Sequence, residues 1–389
     1  MTAKELLKSL QDLNTLLSIR LNLHEYDKIP VQFREYSIRS GRVTFKVPGE
    51  FEVDLTIADE DPEKQFWFID FRFLFTPATS EIPEHLRNII EKSVDTILER
   101  DGLAGCYKFL HELVLTHKIS EIRRQAIELS RGKWIETLQV EPLHRALSIQ
   151  YWLGRYGKDG PRSWIILGMD SGKRKDGLPD PKATSRISLR WFRDSKEIKG
   201  HDIPLELTTL SAEALLQAVI TKHISYILES IYRNLSTKPL FSNKQLSISF
   251  KESESEPKEP ELRVQLTRHD NINITIEPRT GCFAISPAFR FSMRAESLLN
   301  SLTKDPATVA HVSIENLRCV AVSEEIVNRA LTIGWEPLQN PGLKPEDLKP
   351  IIPRDTLQLS WFRRPGWSQG WFIVLSASMS GERWWLMEL

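Results

Sequence analysis

Two histidines on one helix can hold a catalytic metal when they stand four residues apart, because both rings then leave the same face. His111 and His117 stand six apart in His-Glu-Leu-Val-Leu-Thr-His. At 3.6 residues per turn they diverge by about 120°, so they read as two helix-surface histidines and not as a ligand pair. Gly168-Met169-Asp170-Ser171-Gly172-Lys173 has neither the Gly-x-Ser-x-Gly spacing of a nucleophile elbow nor a phosphate-loop ending. It reads as a hairpin turn. Asp59, Glu60 and Asp61 lead into Pro62 with no glutamate at calcium-loop spacing, which describes a solvated turn. Gly154-Arg155-Tyr156-Gly157-Lys158-Asp159-Gly160 is too irregular for a dinucleotide fingerprint and reads as a loop. Catalytic, metal and cofactor residues are accordingly expected to be none.

Binding chemistry is better represented. Lys173, Arg174, Lys175, Lys182, Arg186, Arg190 and Arg193 surround Trp191 and Phe192, a composition suited to nucleic acid. On a strand the rings are expected to face the core and the arginines the solvent, which leaves Lys173, Arg174 and Lys175 as a basic loop for an acidic partner. Arg363-Arg364-Pro365-Gly366-Trp367 stands at a predicted hairpin tip, and a Trp beside arginines is an interface anchor or packs on its own domain. Leu6, Leu10, Leu13 and Leu17 form a leucine stripe that either covers a core or docks on another subunit. Replacing Leu10 and Leu13 by Asp would abolish a partner contact in the second case and unfold the domain in the first.

These residues need elements to hold them. Thr2-Ala3-Lys4-Glu5 has the form of a capping box ahead of the leucine stripe, so an amphipathic helix is predicted that stops before Pro30. From Arg42 apolar residues alternate at period two, first to Val47 and then over Phe51 to Ile57, with a turn at Pro48-Gly49. With Phe66–Phe73 they make an antiparallel meander. Helical periodicity follows over 83–100, 103–118 and 119–131, then strands over 147–153, 163–169 and 185–192. Ser211 is a good N-cap for a long helix to Leu235. Beyond Lys238-Pro239 comes a strand-like stretch, then the Glu-rich segment 251–261, read as a flexible loop.

The order then repeats. Leu262 to Ile285 resembles the first meander, and helices are predicted near 294–303 and 307–331. Glu325–Ala330 matches Glu121–Ala126, Glu336-Pro337-Leu338 matches Glu141-Pro142-Leu143, and Leu357–Phe362 matches Leu147–Trp152. Matches in one order, at offsets that agree to within about fifteen residues, indicate a duplicated module with loop insertions and deletions. The expected fold is α+β: an N-terminal helix at 1–26, a first module at 27–238 and a second at 239–389, stacked as an elongated scaffold. The second module has no counterpart of the long helix from Ser211, so the chain reads as part of a longer protein.

Lys and Arg total 52 and Asp and Glu total 52. A protein that binds nucleic acid by counterion release usually carries a basic excess, and this one carries none. Three dispersed cysteines supply no disulfide framework and suit a reducing compartment. The richest apolar run, Phe66 to Phe75, is broken by Asp70 and Arg72, so no membrane span or signal segment is read.

The stretch Ser40 to Phe45, Val47-Pro48-Gly49-Glu50-Phe51-Glu52-Val53-Asp54-Leu55-Thr56-Ile57-Ala58-Asp59-Glu60-Asp61-Pro62 and Phe66 to Phe75 resembles the Mediator complex subunit 14 family, most strongly over about 15–170. The resemblance implies a nuclear, non-enzymatic scaffold and coactivator subunit. It would join head, middle and tail modules through tandem repeats in its N-terminal half. Its implied partners are head subunit 17, middle-module subunits and, indirectly, RNA polymerase II, with no membrane and no direct nucleic acid. It brings no catalytic residues.

Overall fold

The computed structural model describes the chain except residues 1, 79–81, 158–159, 171–183, 201, 252–259, 303, 339–351, 369 and 389. Helix α1, Ala3–Ile19, begins with the expected capping box: the Glu5 amide donates to the Thr2 hydroxyl and the Thr2 amide to the Glu5 carboxylate. A π-type turn, Arg20–His24, closes it.

Four antiparallel strands follow in chain order: β1 Tyr36–Arg39, β2 Arg42–Val47, β3 Phe51–Ile57 and β4 Phe66–Phe73. Only β1 was not foreseen. Val47-Pro48-Gly49-Glu50 forms the turn between β2 and β3, the Glu50 amide donating to the Val47 carbonyl at 3.0 Å. Gly49 takes φ +73, as the third position of a type II turn demands. The period-two residues Val43, Phe45, Phe51, Val53 and Leu55 are all fully buried.

Three predicted helices are instead two consecutive ones, labelled together α2, Glu84–Arg131, that meet at a non-helical kink at Gly102 (φ 63, ψ −154). The kink is where sequence placed a break, since only glycine adopts that backbone cheaply. The break expected near 118 and 119 is absent: Lys118 and Ile119 both continue the buried face. A five-stranded antiparallel sheet comes next: β5 Leu138–Leu143, β6 Ala146–Tyr151, β7 Ser163–Asp170, β8 Arg186–Arg193 and β9 Lys196–Ile198. Helix α3, Ala212–Ser236, starts at Ser211, whose hydroxyl accepts from the Ala214 amide. It packs against α2 and against the long helix Pro306–Thr332 of the second half. Each fully buried Leu or Ile there contributes about 1.5–3 kcal/mol, so packing more than propensity holds it.

The second half runs in the same order. A short helix, α4 Pro239–Ser242, occupies part of the stretch read as strand-like, because proline suits a first helical turn. Strands β10 Ile248–Lys251, β11 Glu261–Gln265, β12 Asn271–Ile276 and β13 Phe283–Ser286 form a second four-stranded meander. The Glu-rich segment lies almost wholly outside the described residues. Helices α5 Arg290–Asn300 and α6 Pro306–Thr332 lead to a last sheet, β14 Glu336–Leu338, β15 Gln358–Arg363, β16 Trp371–Ser378 and β17 Gly381–Glu388. The fold is α+β, with every sheet antiparallel in chain order.

Register refines the internal matches. Tyr151 meets α3 through His223 and pairs with Leu138, whereas Phe362 packs on α6 with Ala330 and Leu375 and pairs with Pro337. Trp361 lies on the opposite face with Phe372 and Val374. Phe362 therefore holds the place of Tyr151, one residue later than the sequence match, and Pro337 the place of Leu138. A one-residue slip exchanges the two faces of a strand, so composition alone could not set this alignment.

Candidate interaction surfaces

Helix α1 divides its leucines between two roles. Leu17, like Leu21 in the π-type turn that closes the helix, is fully buried, and the Leu10 and Leu13 side chains close over Gly41 in the turn between β1 and β2. The stripe beyond its first turns is thus consumed by the chain's own sheet. This corrects Leu17 as a partner contact and makes an Asp at Leu10 or Leu13 a change to the α1–sheet packing. Leu6 and Leu7 remain more than half exposed and, with Ile19 at the other end, are large apolar residues that α1 offers outward.

The Arg363–Trp367 segment does form a hairpin tip, between β15 and β16. Arg364 is exposed, Arg363 and Trp367 are half-buried, and the Trp367 amide closes the turn on the Arg364 carbonyl at 3.2 Å. The basic loop Lys173, Arg174 and Lys175 lies outside the described residues. Its flanking arginines are paired: Arg186 with Asp170 (3.5 Å), Arg190 with Glu197 (2.7 Å) and Arg193 with Asp194 (3.9 Å). The two aromatics do not share a face as expected, because neighbours on a strand point oppositely. Trp191 is buried beneath α3, while Phe192 stacks on Trp164 at 4.9 Å and carries the Arg190 guanidinium.

The histidines are packed and not on the surface. His111 is buried, with Nδ1 2.6 Å from Glu50 and Nε2 2.7 Å from the Ser185 carbonyl. Burial works against its proton, but the Glu50 carboxylate and the Ser185 carbonyl outweigh burial and raise its pKa. His117 stacks on Phe73 at 4.5 Å, and burial lowers its pKa. Fully buried His223 shares a hydrogen bond through Nδ1 with the Tyr151 hydroxyl at 3.1 Å, and that hydroxyl accepts from Trp191 Nε1 at 2.9 Å. Burial first and the charge of Arg193 second hold His223 neutral. The acidic turn Asp59–Asp61 is exposed and anchored by Lys64. Among the described residues no cluster of His, Cys, Asp or Glu could hold a metal, and no helix is long and apolar enough to cross a membrane.

The site that sequence reasoning missed joins the two halves. Arg155, read as part of a loop, is buried and donates through Nε to the Gly281 carbonyl (2.9 Å) and through its terminal nitrogens to Asn300 (2.7 Å) and Leu299 (2.9 Å). The last two carbonyls end α5, where a cation also meets the negative end of the helix dipole. Beside it, Trp152 Nε1 donates to the Pro278 carbonyl at 2.8 Å, and its ring lies so close to Gly281 that a Cβ there would sit 2.6 Å away. Asp194 adjoins this seam. Burial and then the charge of Asp305 raise its pKa to about 6. The Gly-Arg-Tyr-Gly context carries no signal of this role, since all its acceptors are backbone atoms more than 120 residues away.

Antiparallel sheets joined by long helices, with buried arginines spent on backbone carbonyls, define an α+β protein whose two halves are tied to each other. Comparison with known proteins agrees. Residues 1–59 match the family model described as Mediator complex subunit MED14, and residues 231–326 match the fungal Med14 domain. Curated proteins named Mediator of RNA polymerase II transcription subunit 14 are similar over nearly the whole chain. The Pyricularia oryzae protein is 47% identical over 100% of the chain, that of Neurospora crassa 47% over 98%, and that of Aspergillus terreus 40% over 100%. The chain belongs to the Mediator subunit 14 family. It spans about a third of the length of these relatives, covering 35%, 31% and 34% of them.

Proposed function

We propose that this chain is a non-enzymatic scaffold region of the Mediator coactivator, acting in the nucleus in RNA polymerase II transcription by tying head, middle and tail modules together. The carrying observation is similarity across the whole chain to proteins named as subunit 14 of that complex. Two repeated modules, bounded near 27–238 and 239–389 and stacked lengthwise, would supply the reach that a scaffold needs. The Arg155 and Trp152 contacts support this by offering a means of holding two modules in one orientation. Exposed Leu6 at the start of α1, together with Arg363, Arg364 and Trp367 at the β15–β16 tip, are the proposed contacts for head subunit 17 and middle-module subunits.

The test is capture of recombinant Mediator head and middle modules by the purified chain, at low and at moderately high salt. Salt-resistant, stoichiometric capture is expected, because burial of apolar surface is insensitive to screening. No capture at either salt would refute the assignment. The nucleic-acid reading is not favoured, since the described arginines of β8 are engaged by Asp170, Glu197 and Asp194.

A further inference from the structure

The two large sheets are covered unequally, and the difference defines a docking face. In the first half, β8 turns Trp191 toward α3, where its indole is 3% exposed and donates to Tyr151 against His223. Further along β8, the Arg193 guanidinium lies 3.2 Å over the ring of Tyr226, also on α3. In the last sheet β17 stands where β8 stands. Trp191 pairs with Ile165, and Trp384 pairs with Leu375, each partner lying in the helix-facing layer. Trp384 thus corresponds to Trp191 and Leu386 to Arg193.

Helix α6 covers only part of that layer. It packs on β14, β15 and β16 through Ala330, Phe362 and Leu375, and it reaches β17 through the Arg318–Glu382 ion pair. Trp384 and Leu386 are left 49% and 57% exposed on the α6 side. Their equivalents in the first half are closed by a helix that follows the sheet in sequence. Glu388 shares the face of Trp384 and Leu386, so a basic residue at the flank of an incoming helix would be complemented.

We propose that Trp384 and Leu386 are the seat of an amphipathic helix of the α3 type, supplied in the longer family members by the segment that follows this region. Its apolar stripe runs over Trp384 as α3 runs over Trp191, and its outer side is free to pack on a further unit, as α3 packs on α6. The inference does not depend on which subunits the scaffold holds, because it concerns closure of one sheet.

The test compares two chains, each carrying Leu386→Cys and Cys282→Ser, so that the native thiols left, Cys106 and Cys319, are buried. One has the present length. The other is extended by the segment that follows the matched region in the Neurospora crassa relative, long enough for a helix of α3's length. The 386 thiol should react with maleimide as an exposed thiol in the first and at least tenfold more slowly in the second. Asp substitutions along the apolar stripe of the added segment should restore fast reaction. Acrylamide quenching of Trp384, read as the difference from Trp384→Phe, gives the same comparison without the cysteine. Equal accessibility in both chains, or protection that survives the stripe substitutions, would overturn the proposal.

Discussion

Replacing Arg155 by Ala should loosen the seam between the halves more than any single surface change. The guanidinium makes three hydrogen bonds, at 2.9, 2.7 and 2.9 Å, to the carbonyls of Gly281, Asn300 and Leu299. A hydrogen bond to a charged group contributes about 1.5–3 kcal/mol, but three on one side chain are not additive, and removing Arg155 also removes the cost of burying its charge. The expected loss is about 3 kcal/mol, which corresponds to roughly a hundredfold increase in the opening equilibrium. Hydrogen exchange at the amides of β12, β13 and α5 reads this opening directly. Arg155→Lys keeps the charge but not the planar fork, and should recover less than half of the loss. Exchange within about 0.5 kcal/mol of the parent for Arg155→Ala would refute the reasoning, because it would mean that the buried guanidinium holds nothing in place.

Asp194→Asn should stabilise the protein at neutral pH by about 1–2 kcal/mol, since a carboxyl raised to about 6 by burial and Asp305 is charged at a cost when folded. A raised pKa contributes stability that is present below the unfolded carboxyl value and lost as pH rises through about 6. The parent should therefore lose stability relative to Asp194→Asn between about pH 4 and pH 7 in urea titrations, and parallel profiles would count against it. Leu17→Ala, at a fully buried position, should cost about 2–4 kcal/mol by loss of packing. Leu6→Asp should stay within about 0.5 kcal/mol and instead weaken Mediator capture; the reverse pattern in denaturation and pull-down would exchange their roles.

What the sequence determined by itself was local. Capping at Thr2 and Ser211, the Pro48-Gly49 turn, period two in the meanders and period 3.6 in the helices depend on residues within a few positions of one another, so pattern sufficed. The order of elements repeats visibly for the same reason. Tertiary structure decided whatever rests on partners far away in the chain. Lys118 and Ile119 look like a helix junction until their burial, and the Lys118 hydrogen bond to the Gly49 carbonyl in the turn of the first sheet, are known. Trp191 and Phe192 look alike until the strand sends one under α3 and the other to Trp164. Arg155 reads as a loop residue because backbone carbonyls have no residue type, so a side chain devoted to them leaves no mark in the sequence of its acceptors. Likewise the identity in place of Tyr151 and Phe362 emerged only from register, since a match displaced by one residue is nearly invisible in composition yet turns every side chain to the other face.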